Sequence, residues 1–206
     1  MKSGVNFSKA SRVDFTRNIM LLNDIRKEID RVDNEIKELF KERMKVADGV
    51  ARIKAENHDV ILKPDREAQI IKNLLQGVDT SIAMEYEAFI KKTMTLSRMY
   101  QYKRTLQLRK EENDKLNELA EELKVTTDHN RIDIMMSVAD QSGSLGNILS
   151  MIGDYKVNIK EIKSLTDGEY GFLLTLHGNL LSDNMKALVY QLSKETAMKV
   201  VRSYKG

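Results

Sequence analysis

The sequence predicts two modules of different class in one chain: a helical part made of long rods, followed by a smaller α+β part. Three observations predict it. The 206 residues contain a single proline, and glycine is scarce before residue 140. Lys, Glu, Leu and Met are abundant there, a composition that favours long helices. Apolar spacing follows the helical period over the first part and changes after Val125 to alternation, the period of half-buried strands. With 41% apolar residues, such a chain can fill real cores.

In the first part, Ile25, Ile29, Val32, Ile36 and Leu39 are spaced by alternating fours and threes, which predicts one amphipathic helix from about Phe15 to Glu56. Residues 1–15 are expected to form a polar tail. Asn57 to Lys63 breaks the pattern, and Pro64-Asp65 opens a short second helix that Gly77 closes. A third helix starts near Thr80, with its stripe at Tyr86, Ile90 and Met94. No breaker appears before Lys124, and Leu116, Leu119 and Leu123 extend the spacing, so an extended third helix is expected. Two such rods joined by a short helix cannot bury their own stripes, so a partner chain is implied. The helical domain is placed at 16–125.

In the second part, Ile132, Ile134, Met136 and Val138 alternate with Arg131, Asp133, Met135 and Ser137, and helical spacing returns at Leu145, Ile148, Leu149 and Ile152. Val157 to Leu165 and Tyr170 to Leu176 read as strands around a turn at Asp167-Gly168. Met185, Leu188, Val189 and Leu192 mark a helix behind Ser182, and Met198 to Tyr204 is a last strand. The order βαββαβ is a ferredoxin-like α+β module at 130–206.

Charge excludes several functions. Lys plus Arg number 34 against 31 Asp plus Glu, so a net charge of +3 is small beside the charged fraction of 32%. Basic and acidic groups interleave, which leaves no positive track for nucleic acid. Residues 1–125 hold 25 basic and 22 acidic groups, and residues 126–206 hold nine of each, so the excess belongs to the helical part. Without cysteine there is no disulfide framework, thiolate metal site or cysteine nucleophile, and three dispersed histidines make no zinc triad. No cofactor or metal is expected. No apolar run has the length to cross a bilayer, and a cytoplasmic protein is expected.

Polar groups stand where the stripe should be apolar. Continued from Leu39, the first helix's stripe meets Arg43, then Ala47 and Val50, then Lys54. Arg43 and Lys54 are eleven residues apart, within about 20° of one face and roughly 16 Å along the axis. The third helix likewise carries its stripe onward to Ser97 and Gln101. An unpartnered buried cation costs several kcal/mol, so a protein that sets cations beside an apolar stripe usually has an anion to meet them. Two readings stay open at this level: Arg43 pairs with Glu42 or another carboxylate and Lys54 snorkels to water, or both face an anionic ligand. Arg66-Glu67 stands in the first turn of the short helix, where backbone N–H groups point outward. Arg26 borders the stripe about 25 Å from Arg43 and roughly 100° round the helix, so it reaches such a pocket only from a partner chain.

Ile25-Arg26-Lys27-Glu28-Ile29-Asp30, Glu42-Arg43, Ile53-Lys54, Asp65-Arg66-Glu67 and Ser97-Arg98-Met99-Tyr100-Gln101 closely resemble, spacings included, the motif series of the all-helical class of chorismate mutase. The resemblance covers roughly residues 16–105. It implies an all-α, intertwined three-helix homodimer that converts chorismate to prephenate in phenylalanine and tyrosine biosynthesis. It implies that Arg26 reaches across from the partner chain and that Arg43 grips the substrate's carboxylates. Lys54 then contacts a carboxylate and the ether oxygen, and Gln101 donates to that oxygen. Arg66 and Ser97 complete the lining, and Glu67 accepts from the ring hydroxyl. A Claisen rearrangement is unimolecular, so holding the dianion in its reactive conformer and meeting the charge on the breaking ether oxygen suffice.

One position departs from the pattern: Lys63 stands where the family commonly has an acid, three before the Arg of Arg-Glu. An acceptor for the ring hydroxyl is lost there unless Asp65 or a backbone carbonyl replaces it. The same scaffold also hosts an isochorismate pyruvate lyase. A non-catalytic helical dimerisation scaffold is the other alternative, although a plain coiled coil would have aliphatic residues at Arg43, Lys54, Ser97 and Gln101.

Ser137 to Ser164 resembles an ACT domain, a ligand-sensing module of amino-acid biosynthetic enzymes. Gly143-Ser144-Leu145 stands where aromatic-pathway members often have Gly-Ala-Leu, in a loop that can cradle an amino acid. Ile162-Lys163-Ser164-Leu165 falls where they often carry Ile-Glu-Ser-Arg, and only the Ile and Ser are present. Gly143, Ser144, Leu145, Ile162 and Ser164 are thus candidate contacts for an aromatic amino acid effector, and a pure assembly role is the alternative. No dehydratase or dehydrogenase domain fits between the two modules.

Overall fold

A computed structural model describes residues 9–137, 143–165 and 171–206, with side chains from residue 21 onward. Two compact units divide the chain, Met1–Val46 and Ala47–Gly206.

The first unit is helix α1 (Lys9–Glu56) as far as Val46. The helix begins at Lys9, ahead of the expected start at Phe15, so residues 9–15 are helical rather than a tail. No glycine or proline lies between Gly4 and Gly49 to stop it. Its apolar row is open: Ile25, Ile29, Val32, Ile36 and Leu39 are 41–66% exposed. Ion pairs one turn apart, Lys27–Asp24, Arg31–Glu28 and Lys41–Glu38, lie along it. Each adds only a few tenths of a kcal/mol.

In the second unit the last turns of α1 bury Ala47, Ala51 and Ala55, small residues at fourfold spacing that let a neighbour approach closely. The helix ends as His58 turns left-handed (φ 54°) and the Asp59 amide donates to the Lys54 carbonyl. Helix α2 (Pro64–Leu74) opens on Pro64, with Asp65 and Glu67 in its first turn, and Gly77 (φ 79°) lies in the turn after it. Helix α3 (Ala83–Leu108) follows.

The extended third helix is not continuous. Arg109 adopts an extended backbone (φ −111°, ψ 94°), and a separate helix α4 (Lys110–Glu122) begins after it. Composition hides this break, because Arg109 is an ordinary helix former. Its cause lies in packing. The Arg109 guanidinium pairs with Glu111 and Glu112, and Glu112 also meets Lys194 of a later helix. The bend turns Leu116 and Ala120 into the core beneath the sheet.

The remaining elements are β1 (Arg131–Ser137), α5 (Ser144–Asp154), β2 (Asn158–Ser164), β3 (Phe172–His177), α6 (Asp183–Glu195) and β4 (Ala197–Tyr204). The strands form one antiparallel sheet in the order β2-β3-β1-β4, the ferredoxin-like arrangement that βαββαβ predicts. Ser182 caps α6 by accepting from the Met185 amide. Val138, Tyr170 and the Asp167-Gly168 turn lie outside the described residues. Ile132, Ile134, Leu174, Leu176, Ile152, Leu188 and Leu192 are fully buried. Tyr102 from α3 joins this same core. Asp133, on the other face of β1, is buried too. It accepts from Thr175, Arg202 and Tyr204, which satisfies its carboxylate.

Candidate active site

Of the residues that sequence reading singles out, Arg26 and Arg43 lie in the first unit, and Lys54, Arg66, Glu67, Ser97 and Gln101 lie in the second. Arg26 is exposed and donates to Asn23 Oδ1 at 3.3 Å; Arg43 is half-buried.

Lys54 is in the last turn of α1 because the stripe that buries Ala47, Ala51 and Ala55 turns it inward, to a half-buried position. Its Nζ donates to the Ile61 carbonyl at 2.6 Å. Burial pushes the ammonium pKa down; Asp59 and Glu67 oppose that shift, and Lys63 and Arg66 add to it. The end of α1 and the start of α2 therefore share one electrostatic environment. Lys63, in place of the expected acid, pairs with Asp59 at 2.6 Å, and that pairing holds the Asp59 carboxyl below its usual range.

On α3, Ser97 is buried and its hydroxyl donates to the Thr93 carbonyl at 3.1 Å. Gln101 follows one turn later. Its Oε1 is buried and, among the described residues, has no hydrogen-bond partner, a condition that costs about 1–3 kcal/mol unless a ligand or water supplies one. Arg66 is exposed on the first turn of α2. Glu67 beside it is half-buried, and Arg98 Nη1 donates to both its oxygens, at 2.7 and 2.5 Å.

These residues fall in a stretch with known relatives. Residues 25–102 match the family model described as chorismate mutase type II. Residues 25–102 are a chorismate mutase type II domain. Over 55 residues the chain is 42% identical to a bifunctional chorismate mutase/prephenate dehydratase of Aquifex aeolicus (strain VF5). The aligned part is 27% of this chain and spans 15% of that relative's length. The α+β module after the mutase domain fits an ACT-like domain, with its four antiparallel strands and two helices.

Within the mutase domain, Arg98 escaped sequence reading although it lies inside the Ser97–Gln101 motif, because it falls one residue off the apolar stripe. Glu195, which shares Arg98 with Glu67, carried no signal: Lys194-Glu195 reads as a solvated helix end. Between the mutase domain's α2 and α3 and the ACT-like module's α5 runs a cleft of about 900 Å³. It shares Glu67 with the candidate substrate residues and Ser144 with the candidate effector residues.

Gly143 stands left-handed (φ 83°) immediately before α5, whose first residues are Ser144 and Leu145. Ile162 and Ser164 lie exposed on β2, an edge strand of the sheet. Among the described residues no group of His, Asp or Glu is placed to hold a metal, and no helix is long and apolar enough to cross a membrane.

Proposed function

We propose that the chain is a cytoplasmic, homodimeric chorismate mutase that converts chorismate to prephenate. The observation that carries this reading is the placement of three polar side chains, Lys54, Ser97 and Gln101, each at least half-buried and inside the matched stretch 25–102; the Gln101 amide is one turn from Ser97, and among the described residues its Oε1 has no partner. An orphaned amide on a rigid helix is a ready partner for a polar ligand.

In this reading Arg43 grips the substrate's carboxylates, Lys54 contacts a carboxylate, and Arg66 and Ser97 complete the polar lining. Lys54 and the Gln101 amide N–H meet the ether oxygen as its bond to carbon breaks and the new carbon–carbon bond forms. Glu67 accepts from the ring hydroxyl. The protein needs only to hold the folded conformer and stabilise the growing negative charge. Arg26 enters from the partner subunit. The open apolar row of α1 supports a second copy, since monomeric proteins rarely leave such a stripe in water. We assign the mutase domain to 16–125 and the ACT-like domain to 130–206, the latter sensing an aromatic amino acid through Gly143, Ser144, Leu145, Ile162 and Ser164.

Identifying the products formed from chorismate and from isochorismate tests the reaction. Prephenate from chorismate supports it. Pyruvate from isochorismate, with chorismate unchanged, assigns the scaffold to the lyase reaction instead. Isothermal titration with phenylalanine, tyrosine and tryptophan tests the sensing role: heat and a change in turnover with one of them support it, and neither with any of them leaves assembly.

A further inference from the structure

Arg98 is held between two acids from different parts of the fold. On one side its Nη1 donates to both oxygens of Glu67 on α2. On the other, its Nε lies 3.3 Å from Glu195 Oε1 at the end of α6, close enough for an ion pair and misaligned for a hydrogen bond. Glu195 is fixed in turn. Gln191 Nε2 donates to it at 3.1 Å, the Tyr102 hydroxyl donates to it, and the buried Tyr155 hydroxyl donates to Gln191 Oε1 at 2.7 Å. Glu195 has 6% of its side chain exposed, and burial pushes its pKa up while Arg98, Gln191 and Tyr102 pull it down.

We propose that Arg98 and Glu195 are positioning residues for Glu67, with Glu195 of the ACT-like module setting how Arg98 holds the carboxylate that receives the substrate's hydroxyl. The proposal rests on the reading that Glu67 contacts that hydroxyl. The physical need is clear. An unneutralised carboxylate beside a dianionic substrate repels it, and a carboxylate drawn wholly onto an arginine is a misplaced acceptor. Here Glu67 is neutralised by Arg98, and each of its oxygens, accepting one bond from Nη1, keeps a second lone pair for the hydroxyl. Glu195 anchors the Nε side so that the guanidinium keeps its place. Tyr155, Gln191, Glu195 and Arg98 thus form one buried polar line from the end of α5 to Glu67, and removal of any link frees the next.

The test is a double-substitution cycle on the full chain, read as KM and kcat for chorismate, with Glu195→Gln and Glu67→Gln alone and combined. Glu195→Gln is expected to raise KM about fivefold while kcat changes less than about twofold, and to have no such effect in the Glu67→Gln background. A purely structural role for Glu195, or a general effect of its charge on the substrate, would act equally in both backgrounds. An equal effect in both, or none, with wild-type turnover intact, overturns the clamp and leaves the mutase reading standing. Absence of chorismate turnover by the wild-type chain overturns that reading and the clamp with it. If Glu195→Gln does not fold, Arg98→Lys replaces it. That substitution keeps the charge and removes the planar fork, and the same Glu67-dependent rise in KM is expected.

Discussion

The Lys54 ammonium and the Ile61 carbonyl oxygen are 2.6 Å apart, so the end of α1 is tied to the connection that leads into α2. Among the described residues this bond fixes a cation at the junction of two helices. Lys54→Ala is expected to lower kcat by about 10² or more, the usual scale for losing one preorganised donor. It should lower stability by no more than about 3 kcal/mol, the upper net contribution of one hydrogen bond from a charged group, because burial of the ammonium offsets part of it. Steady-state kinetics beside thermal unfolding separates the two effects.

The same lysine sets an alkaline limit. Its folded pKa is below the ordinary 10.5, chiefly through burial. In the proposed role only the protonated form donates to the ether oxygen, so kcat/KM should fall as pH rises through the lowered value, before an ordinary lysine would titrate. The stability sign is opposite to that of a salt-bridged lysine. Depression of the pKa means that folding disfavours the charged form. The penalty is full below the folded pKa and disappears above 10.5. A pH–rate profile extended into the alkaline range checks the kinetic limb.

Gln101 distinguishes a donor from an acceptor. Gln101→Ala should lower kcat by about 10² or more. Gln101→Glu should leave an enzyme active only where the new carboxyl is protonated, so its activity should rise toward acid pH while the wild type stays nearly flat around neutrality. A flat profile for Gln101→Glu at wild-type rates would remove the donor role.

If Arg26 is supplied in trans, two inactive variants complement each other. Mixing Arg26→Ala and Lys54→Ala subunits in equal amounts, with exchange, should restore about a quarter of wild-type activity, because half the dimers then carry one intact site of two. A site that draws both residues from one chain gives no restoration. Sedimentation of Ile29→Glu checks the same interface from the other side: a charge on the open row of α1 should yield monomers without mutase activity.

Much of this architecture was legible. Alternation at Ile132, Ile134 and Met136 and the cap at Ser182 located β1 and α6, because burial on one sheet face and capping chemistry leave local marks. Lys54, Ser97 and Gln101 stood out as polar residues on an apolar stripe, and each is at least half-buried. The break at Arg109 was invisible, since tertiary pairing with Glu111 and Glu112 makes it, not a breaker residue. The burial of Asp133 leaves no local mark for a related reason: its donors Thr175, Arg202 and Tyr204 come from strands distant in sequence. The Glu67–Arg98–Glu195 cluster joins residues more than a hundred positions apart, beyond the reach of any periodicity.

Core stability makes a separate prediction. Leu188 of α6 is fully buried in the cluster that also holds Ile132 and Leu176. Leu188→Ala should cost about 2–5 kcal/mol, the range for a leucine truncated in a packed core. Denaturant unfolding measures it directly.

The most direct measurement follows chorismate disappearance and prephenate appearance for the purified full chain beside its Lys54→Ala variant. Stoichiometric prephenate is expected from the wild type, with a rate at least about 10² lower from the folded variant. No prephenate from the wild type, or equal rates from both, would contradict the mutase reading.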